Sequence, residues 1–442
     1  MKVLVIGCTH AGTAAVVNLK ALYPDSEVTI YERNDNISFL SCGIALHVGD
    51  VVKNLNDMFY SSPEQLAKLG VKTNMKHDVL DIDFDNKKVK VKNLVTEEIF
   101  EDNYDKLVLT VGSWPIVPNF EGGDLENIVL CKNYNQAKDI TEKGKKAKNV
   151  VIIGAGYIGV ELAEAFEMLG KNVTLIDAEE RIMSKYLDKE FTDIVEKSFK
   201  EHNINLVLGE KVKKFEGENG KVQKVVTDNG TYSGDLVVLC IGFKPNTKLV
   251  EEKIDTLPNG AIIIDEYMRT SREDVFAAGD CCVVKFNPTG EDRYIPLATN
   301  AVRMGTLVAR NINGPTIKYM GTQGTSGIKI YEECIASTGL TEEGAKLSGI
   351  EVETSTIEEN YRPEFMPTYE KAMVKIVFDK NSRRILGGQI ISKADLTQFM
   401  NTLSVVIQNK MTVEELAMTD FFFQPHFNKP WSLLNSVALN AL

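Results

Sequence analysis

Apolar, β-branched runs alternate with helix-compatible stretches along most of the chain. The first run covers residues 2–6 and breaks at a glycine-rich turn, after which a helical pattern continues to Leu22. A second apolar run over residues 27–31 then ends in Glu32, and the whole order returns between residues 148 and Asp177. Strand, glycine-rich turn, helix, strand and terminal acid form the βαβ unit that binds the ADP half of a dinucleotide. The pattern therefore predicts an α/β fold with two Rossmann-like units.

The two glycine-rich turns differ in how completely they match the dinucleotide pattern. The first carries Gly7, Thr9 and Gly12, and the second carries Gly154, Gly156 and Gly159. In the complete pattern the first glycine permits the tight turn, the second lets the backbone approach pyrophosphate, and the third lets the helix pack on the strand. The second unit is therefore the stronger prediction of a nucleotide site.

An acidic residue ends the second strand of each unit. Such a carboxylate can accept hydrogen bonds from both hydroxyls of a ribose, although an ordinary acid at a strand end is the alternative for Glu32. Asp177 would also repel a 2′-phosphate. The sequence therefore predicts that the second unit prefers NAD to NADP.

A second internal similarity supports the duplication. Residues 105–115 and 235–245 both form a buried strand that leaves through glycine and turns at proline. Further along, a short buried strand delivers Gly279 and Asp280 to a loop, where the carboxylate could accept from a ribityl hydroxyl or could cap a helix. Two such units predict two dinucleotide sites, one for a tightly bound flavin (FAD) and one for a nicotinamide (NAD). Because Asp280, the candidate flavin residue, follows the second unit, the FAD domain is predicted to be discontinuous, with the NAD domain inserted. The predicted boundaries are 1–118 and 245–319 for FAD and 119–244 for NAD.

The C-terminal residues 320–442 have a different character. Runs 372–378 and 384–391 predict a hairpin, an amphipathic helix is predicted over 394–408, and an aromatic cluster occupies 421–427. Strands followed by helices indicate a separate α+β domain. The aromatic cluster is either ordinary core or part of an interface with a partner subunit.

Composition excludes several classes of function. The 442 residues carry a formal net charge of −12 with no local excess of lysine and arginine, which disfavours a nucleic-acid surface. No apolar stretch approaches the roughly 18 residues of a membrane span. Seven scattered cysteines without a CxxC pair or a Cys/His cluster predict no metal site and a reducing cytoplasm.

Cys42 is the candidate reactive residue. Polar Ser41 precedes an apolar, helix-compatible run, so Cys42 is predicted in the first turn of a helix, where the pKa of a thiol can fall from about 8.5 to between about 3.5 and 7.5. No second cysteine follows closely, so the redox chemistry open to Cys42 is oxidation to a sulfenic acid, formation of a mixed disulfide or reaction with a bound cofactor. The alternative is a small buried apolar residue.

Five segments carry a resemblance to a known family: residues 7–13, 38–43, 112–115, 360–367 and 422–425. They resemble the flavin-dependent pyridine nucleotide–disulfide oxidoreductases, within them the single-cysteine branch that contains water-forming NADH oxidases, NADH peroxidases and coenzyme A disulfide reductases. The first four segments look most like the water-forming oxidases. Thr9 in place of glycine is similar to the branch's own pattern.

The resemblance implies roles for particular residues. Cys42, His10 and Arg303 would be catalytic, with Arg303 bonded to His10; Tyr157 would gate NADH, and Asp177 and Tyr186 would hold its adenosine end. The implied FAD residues are Gly7, Thr9, His10, Ala11, Gly12, Glu32, Arg33, Cys42, Thr110, Gly112, Ser113, Lys132, Asp280, Leu297, Ala298, Thr299 and Phe423. The implied NAD residues are Gly154, Gly156, Tyr157, Ile158, Gly159, Asp177, Tyr186, Gly242 and Gly327.

The implied activity is oxidation of two NADH by one O2 to give two waters, through tightly bound FAD and a Cys42 sulfenic acid, in a homodimer. An NADH peroxidase stays an alternative that oxygen uptake without peroxide would exclude. A coenzyme A disulfide reductase needs room for a bulky thiol, and Phe423 in place of a tyrosine disfavours it. An NADH-sensing flavoprotein without turnover is the alternative outside enzymes.

Overall fold

The computed structural model describes residues 1–442. The first part contains strands β1 (Lys2–Ile6), β2 (Glu27–Glu32), β3 (Val71–Met75), β4 (His77–Asp83), β5 (Lys88–Asn93), β6 (Ile99–Asn103), β7 (Lys106–Leu109) and β8 (Ser113–Pro115), and helices α1 (His10–Leu22), α2 (Ile44–Val48) and α3 (Pro63–Lys68). Strands β1, β2, β3 and β7 lie parallel in one sheet, which a later strand completes.

The middle of the chain repeats this plan. It contains β9 (Ile128–Leu130), β10 (Asn149–Ile153), β11 (Asn172–Ile176), β12 (Asn205–Val207), β13 (Val212–Glu218), β14 (Lys221–Thr227), β15 (Thr231–Ser233), β16 (Leu236–Leu239) and β17 (Phe243–Pro245), with α4 (Tyr134–Lys146), α5 (Tyr157–Met168) and α6 (Lys189–Glu201). The parallel sheet β12-β11-β10-β16-β9 places β10, α5 and β11 as the first sheet places β1, α1 and β2.

The last part contains β18 (Val275–Ala277), β19 (Val284–Phe286), β20 (Glu291–Arg293), β21 (Ser326–Ile330), β22 (Glu333–Gly339), β23 (Val352–Asn360), β24 (Lys371–Asp379) and β25 (Ile385–Ser392), with α7 (Ala298–Asn311), α8 (Glu342–Leu347), α9 (Gln398–Gln408), α10 (Val413–Ala417) and α11 (Leu433–Leu439). Strand β18 pairs with β7 and completes the first sheet, in the order β18-β7-β1-β2-β3. The first sheet is thus built from two separated parts of the chain, as the position of Asp280 predicts.

The similar strand exits of the two units meet in space. Strands β8 and β17 pair antiparallel, with Trp114 opposite Lys244. The two strands that precede them, β7 and β16, occupy equivalent positions beside β1 and β10. The duplication predicted from these two segments is therefore a structural one. The residue at which each domain begins and ends stays a prediction.

The C-terminal sheet β21-β22-β25-β24-β23 is antiparallel and packs against α9 and α11. The predicted hairpin is present as β24 and β25, and the amphipathic helix begins at Gln398, four residues later than its predicted start at 394. One apolar core joins this sheet to the second unit, since Ile328, Ile335 and Ile391 pack in the same buried cluster as Phe166 and Phe191. The predicted α/β class with a C-terminal α+β domain is confirmed.

None of the helices combines the length and the apolar character that a membrane crossing requires.

Candidate active site

Each glycine-rich turn leads into a helix whose N-terminus is open to an anion. Helix α1 begins after Thr9 and α5 after Gly156, and neither has a side-chain cap or an acidic residue in its first turn. The backbone N–H groups at such an end have no partner within the helix and attract phosphate. A Cβ on Gly156 would meet no atom within 4 Å, so the backbone there is open to a close ligand.

The other glycines of the two turns are needed for the backbone itself. Gly7 and Gly154 have φ values of +88° and +105°, which side-chain-bearing residues rarely adopt. A Cβ on Gly12 would lie 2.3 Å from the Gly7 carbonyl oxygen, and one on Gly159 would lie 1.8 Å from that of Gly154. The two turns therefore have the same packing, although Thr9 replaces the middle glycine of the first.

The two terminal acids also make equivalent contacts. Glu32 accepts hydrogen bonds from the N–H of Cys8 at 2.8 Å and of Asn34 at 2.9 Å. Asp177 accepts from the N–H of Ala155 and from that of Glu179, the latter at 2.9 Å. Each carboxylate thus lies against its glycine-rich turn, which is where a ribose diol must be recognised.

His10 is the first residue of α1 and is held by Tyr60, a residue that the sequence does not single out. The Tyr60 hydroxyl and His10 Nδ1 are 2.9 Å apart, and the two rings stack with their planes 5° apart. His10 Nε2 is buried and has no hydrogen-bond partner. Burial is the main reason that the pKa of His10 is lowered, so the ring is neutral near pH 7.

The predicted hydrogen bond between Arg303 and His10 is wrong. Arg303 instead donates from Nη2 to Asn300 Oδ1 at 2.6 Å, within α7, and Tyr319 donates to the same oxygen at 3.3 Å. His10 is bonded to Tyr60 instead. Arg303 lines a cavity of about 490 Å³ together with Thr299, so it still adjoins the predicted flavin residues at the start of α7.

Cys42 lies in a single 3-10 turn, Ser41–Gly43, that continues into α2, in agreement with its predicted place at a helix start. The prediction of a lowered thiol pKa is wrong for this arrangement. The residue is exposed, yet partial loss of hydration around its thiol, followed by the negative charge of Glu161, raises the pKa of Cys42. The helix is only five residues long, so its dipole is weak.

The loop before Cys42 connects it to His10. Phe39 forms a bridge to Phe59, and Leu40 donates its N–H to the Met58 carbonyl at 2.9 Å. Tyr60, which binds His10, follows directly. The charges of Lys132 and Asp280 act on both Cys42 and His10, which places these groups in one region.

Asp280 is the centre of a polar cluster formed from distant parts of the chain. Its Oδ2 accepts from the Ser113 hydroxyl at 2.8 Å and from Lys132 Nζ at 3.1 Å, and Lys132 also donates to Ser113 at 2.9 Å. Gly279 before it has a φ of +85° and packs against Ala11 of α1. The three residues predicted to bind flavin at this point are therefore brought together.

The aromatic residues predicted to bind NADH are also neighbours. The rings of Tyr157 and Tyr186 have their centroids 4.3 Å apart. The hydroxyl groups of Tyr157 and Ser326 are 2.8 Å apart, so the C-terminal sheet holds the proposed gate. Gly327 is the exposed residue that follows Ser326 on β21.

The remaining predicted residues do not form a single cluster. Arg33 forms an exposed ion pair with Asp78, Thr110 donates to the Gly7 carbonyl at 2.7 Å, and Leu297 immediately precedes α7. Phe423 lies between α10 and α11 and is 48% exposed. Gly112 and Gly242 directly precede β8 and β17, Ala298 is the first residue of α7, and Ile158 is the second residue of α5.

Glu161 is a further candidate that the sequence patterns do not indicate. It lies on α5, and burial, followed by repulsion from Glu164, raises the pKa of Glu161 to about 7. Its charge acts on both Cys42 and Tyr157, so it lies near a predicted flavin residue and a predicted NADH residue alike. The sequence does carry one signal for Glu161: an acidic residue inside the mostly apolar helix that follows the second glycine-rich turn.

These residues fit FAD. The uncapped N-terminus of α1, the Glu32 carboxylate and the Asp280 cluster match the needs of pyrophosphate, ribose and ribityl groups in turn. The unpartnered His10 Nε2 and the unpartnered Tyr294 hydroxyl are buried polar atoms that a bound polar group would satisfy.

Comparison with known proteins agrees with this geometry. The family model for pyridine nucleotide-disulphide oxidoreductases matches residues 1–305, and the model for the dimerisation domain of that family matches residues 326–433. An NADH oxidase of Enterococcus faecalis is 57% identical and covers 100% of this chain and 99% of its own length.

Two solved structures are similar along the whole chain. The water-forming NADH oxidase from Lactobacillus brevis, bound to NADH, has 52% identity and a TM-score of 0.98, and the match covers 100% of this chain and 98% of the other. An engineered water-forming NADPH oxidase made from that enzyme and bound to NADPH has the same identity, coverage and TM-score. Its five substitutions include an aspartate replaced by alanine.

The family matches, which cover nearly the whole chain, confirm the predicted family, and the NADH oxidases that are similar over the full chain confirm the predicted enzyme class and, with the family, the cofactor pair. The chain belongs to the pyridine nucleotide-disulphide oxidoreductases.

Proposed function

We propose that this protein is an FAD-dependent NADH oxidase that reduces O2 to water with Cys42 as its second redox group. The observation that carries the proposal is one exposed cysteine in the 3-10 turn just before α2, whose thiol and the His10 ring both feel the charges of Lys132 and Asp280. The similarity to NADH oxidases over the full chain supports it.

The chain's residues would divide the binding of the two cofactors. Helix α1, Glu32 and the Ser113–Lys132–Asp280 cluster would hold FAD, and helix α5, Asp177 and Tyr186 would hold NADH. When bound, FAD accepts hydride from NADH and passes electrons to O2.

Cys42 would act as the nucleophile toward peroxide. Its thiolate attacks one peroxide oxygen, the O–O bond breaks, and Cys42 becomes a sulfenic acid while the other oxygen leaves as water after taking a proton. Because partial loss of hydration and the charge of Glu161 raise the pKa of the Cys42 thiol, a neighbouring base is needed, and neutral His10 can take the thiol proton and return it to the leaving oxygen. A second NADH and a proton then restore the thiol and release the second water.

An oxygen-electrode recording tests this assignment. Addition of NADH to the holoprotein in air-saturated buffer should consume one O2 for every two NADH, and later addition of catalase should return no oxygen. Oxygen return equal to half of the uptake would show that peroxide is the product. Turnover that requires added peroxide would favour the NADH peroxidase alternative.

The coenzyme preference is expected to depend on Asp177. An Asp177→Ala variant should bind NADH about tenfold more weakly or worse, because it loses a charge-assisted hydrogen bond of roughly 1.5–3 kcal/mol to the ribose. It should use NADPH better, since the repulsion of a 2′-phosphate is removed. The aspartate-to-alanine change in the engineered NADPH oxidase supports this expectation.

Steady-state kinetics with both coenzymes measures the change in preference. Asp193→Ala on the exposed side of α6 is a matched control, because its carboxylate forms only an exposed ion pair with Lys189. An unchanged ratio of kcat/KM for NADH and NADPH in Asp177→Ala would place selectivity elsewhere.

The protein should be a homodimer through its C-terminal domain. Phe422, Phe427 and Trp431 are 69%, 63% and 53% exposed, which is unusual for neighbouring large aromatic residues and indicates a protein-binding face. A Phe422→Glu/Phe427→Glu variant should therefore be monomeric by light scattering while its circular dichroism is retained. Met168→Glu, at an exposed position on α5, should stay dimeric. A dimeric double variant would place the interface on another face.

Localisation in the cytoplasm stays a prediction from cysteine usage.

A further inference from the structure

A buried ion network joins the second dinucleotide unit to the C-terminal domain. Lys375 of β24, with only 3% of its side chain exposed, lies 3.0 Å from Asp188, 2.7 Å from Glu190 and 3.1 Å from Glu342. Gln389 of β25 binds Asp188 twice: it accepts from the Asp188 N–H and donates to Asp188 Oδ2, both at 2.7 Å. The network thus ties the start of α6 to two strands and a helix of the C-terminal domain.

Asp188 is the one carboxylate of this network whose side chain cannot rotate into solvent. The side chains of Glu190 and Glu342 are 34% and 35% exposed and can reach water, whereas that of Asp188 is only 6% exposed. Removal of Lys375 leaves this buried carboxylate without its cation, which is costly. Removal of Gln389 keeps the cation but leaves the Asp188 N–H without its partner and Oδ2 with one hydrogen bond fewer, so we expect the backbone at Asp188 to shift in either variant. The exposed glutamates can relax without such movement.

The segment that ends at Asp188 carries Tyr186. At its start, Met183 donates its N–H to the carbonyl of Ala155, which is inside the glycine-rich turn, at 2.9 Å. Tyr186 donates its N–H to the Met183 carbonyl at 2.9 Å, and its ring packs on that of Tyr157. The segment therefore spans from the nucleotide turn to the Lys375 network, with Tyr186 between the two attachments.

We infer that Lys375 and Gln389 are positioning residues for NADH: they fix Asp188 and thereby hold Tyr186 against Tyr157 at the mouth of the nucleotide site. This rests on the proposed NADH site. Neither of these two side chains lies in the cluster of Cys42, His10 and Asp280, so the network should affect coenzyme binding and leave the oxygen chemistry unchanged.

Two variants test this role with different severity. Lys375→Met removes the buried cation and keeps an unbranched chain, and Gln389→Met removes two hydrogen bonds and keeps the ion pairs. In both, the Kd for NAD⁺, measured by titration calorimetry on the holoprotein, and the KM for NADH should rise about tenfold. The kcat at saturating NADH and the flavin content should stay within about twofold of wild type. Lys393→Met is the matched control, because Lys393 forms an exposed pair with Glu332 in the same domain.

The outcomes separate this inference from the proposed function. A lower melting temperature with unchanged Kd and KM in Gln389→Met would show a purely structural network and overturn the inference. A parallel fall of kcat and flavin content would do the same. If Lys375→Met does not fold, Gln389→Met decides. If wild-type protein binds NAD⁺ but consumes no O2 with NADH, the proposed function fails, and the Kd values still test the positioning role.

Discussion

A Cys42→Ser variant is expected to release one H2O2 for every NADH that it oxidises, where the parent protein releases little or none. Hydride transfer and oxygen reduction need only the bound flavin, so the variant should still consume NADH and O2. A serine hydroxyl is neutral near pH 7 and cannot pass through a sulfenic acid, so peroxide should leave instead of being reduced. The NADH-to-O2 ratio should accordingly fall from two to one.

An oxygen electrode with catalase and a peroxidase-coupled dye assay measure this change independently. Cys334→Ser is a suitable control, because Cys334 is a partly exposed free cysteine on β22 of the C-terminal domain. It should retain the parent's ratio of two NADH per O2. Water formation with that ratio in Cys42→Ser would make Cys42 a bystander and remove the mechanism proposed for it.

The features that can be predicted from the sequence are those with a fixed local spacing. The strand, turn, helix, strand and acid of each unit are contiguous, so their order alone places Glu32 and Asp177 against their turns. The strand hydrophobicity also identifies β7 and β16 as equivalent elements. Local order and periodicity determine these contacts.

Contacts between distant residues have no such signal. The partner of His10 is Tyr60, fifty residues later, and the expected Arg303 contact is absent because Asn300, one helical turn earlier, binds the guanidinium group. The helix position alone predicts a lowered pKa for Cys42, whereas partial loss of hydration and the charge of Glu161 on another helix raise that pKa. Side chains from separate elements act on these groups, and sequence spacing does not report their distances.

The shared apolar core changes how the C-terminal domain must be tested. Ile328 and Ile391 pack with residues of the second unit, so truncation near residue 320 would expose part of that unit's core. Loss of activity after truncation would therefore not distinguish a missing dimer interface from an unfolded nucleotide domain. Surface substitutions such as Phe427→Glu leave the core intact and make that distinction.

Retention of the flavin should depend on the charge of Asp280. Its carboxylate binds Ser113 and Lys132 and is the acceptor proposed for the ribityl chain. An Asp280→Asn variant keeps the shape but leaves the Lys132 ammonium, 22% exposed, without its counter-ion. A charge-assisted hydrogen bond is worth roughly 1.5–3 kcal/mol, so FAD affinity should fall at least about tenfold.

The absorbance ratio at 450 and 280 nm after gel filtration measures the loss, and a titration with added FAD gives the affinity. Asp292→Asn on the exposed strand β20 is the matched control, because its carboxylate has no ion pair or hydrogen bond and should leave flavin content unchanged. A Ser113→Ala variant should lose less FAD than Asp280→Asn, since the ion pair with Lys132 remains. Lys132 follows β9 of the second unit, whereas Asp280 follows β18 of the first, so the cluster also connects the two units. Full flavin content in Asp280→Asn would show that the cluster stabilises this junction and does not bind the cofactor.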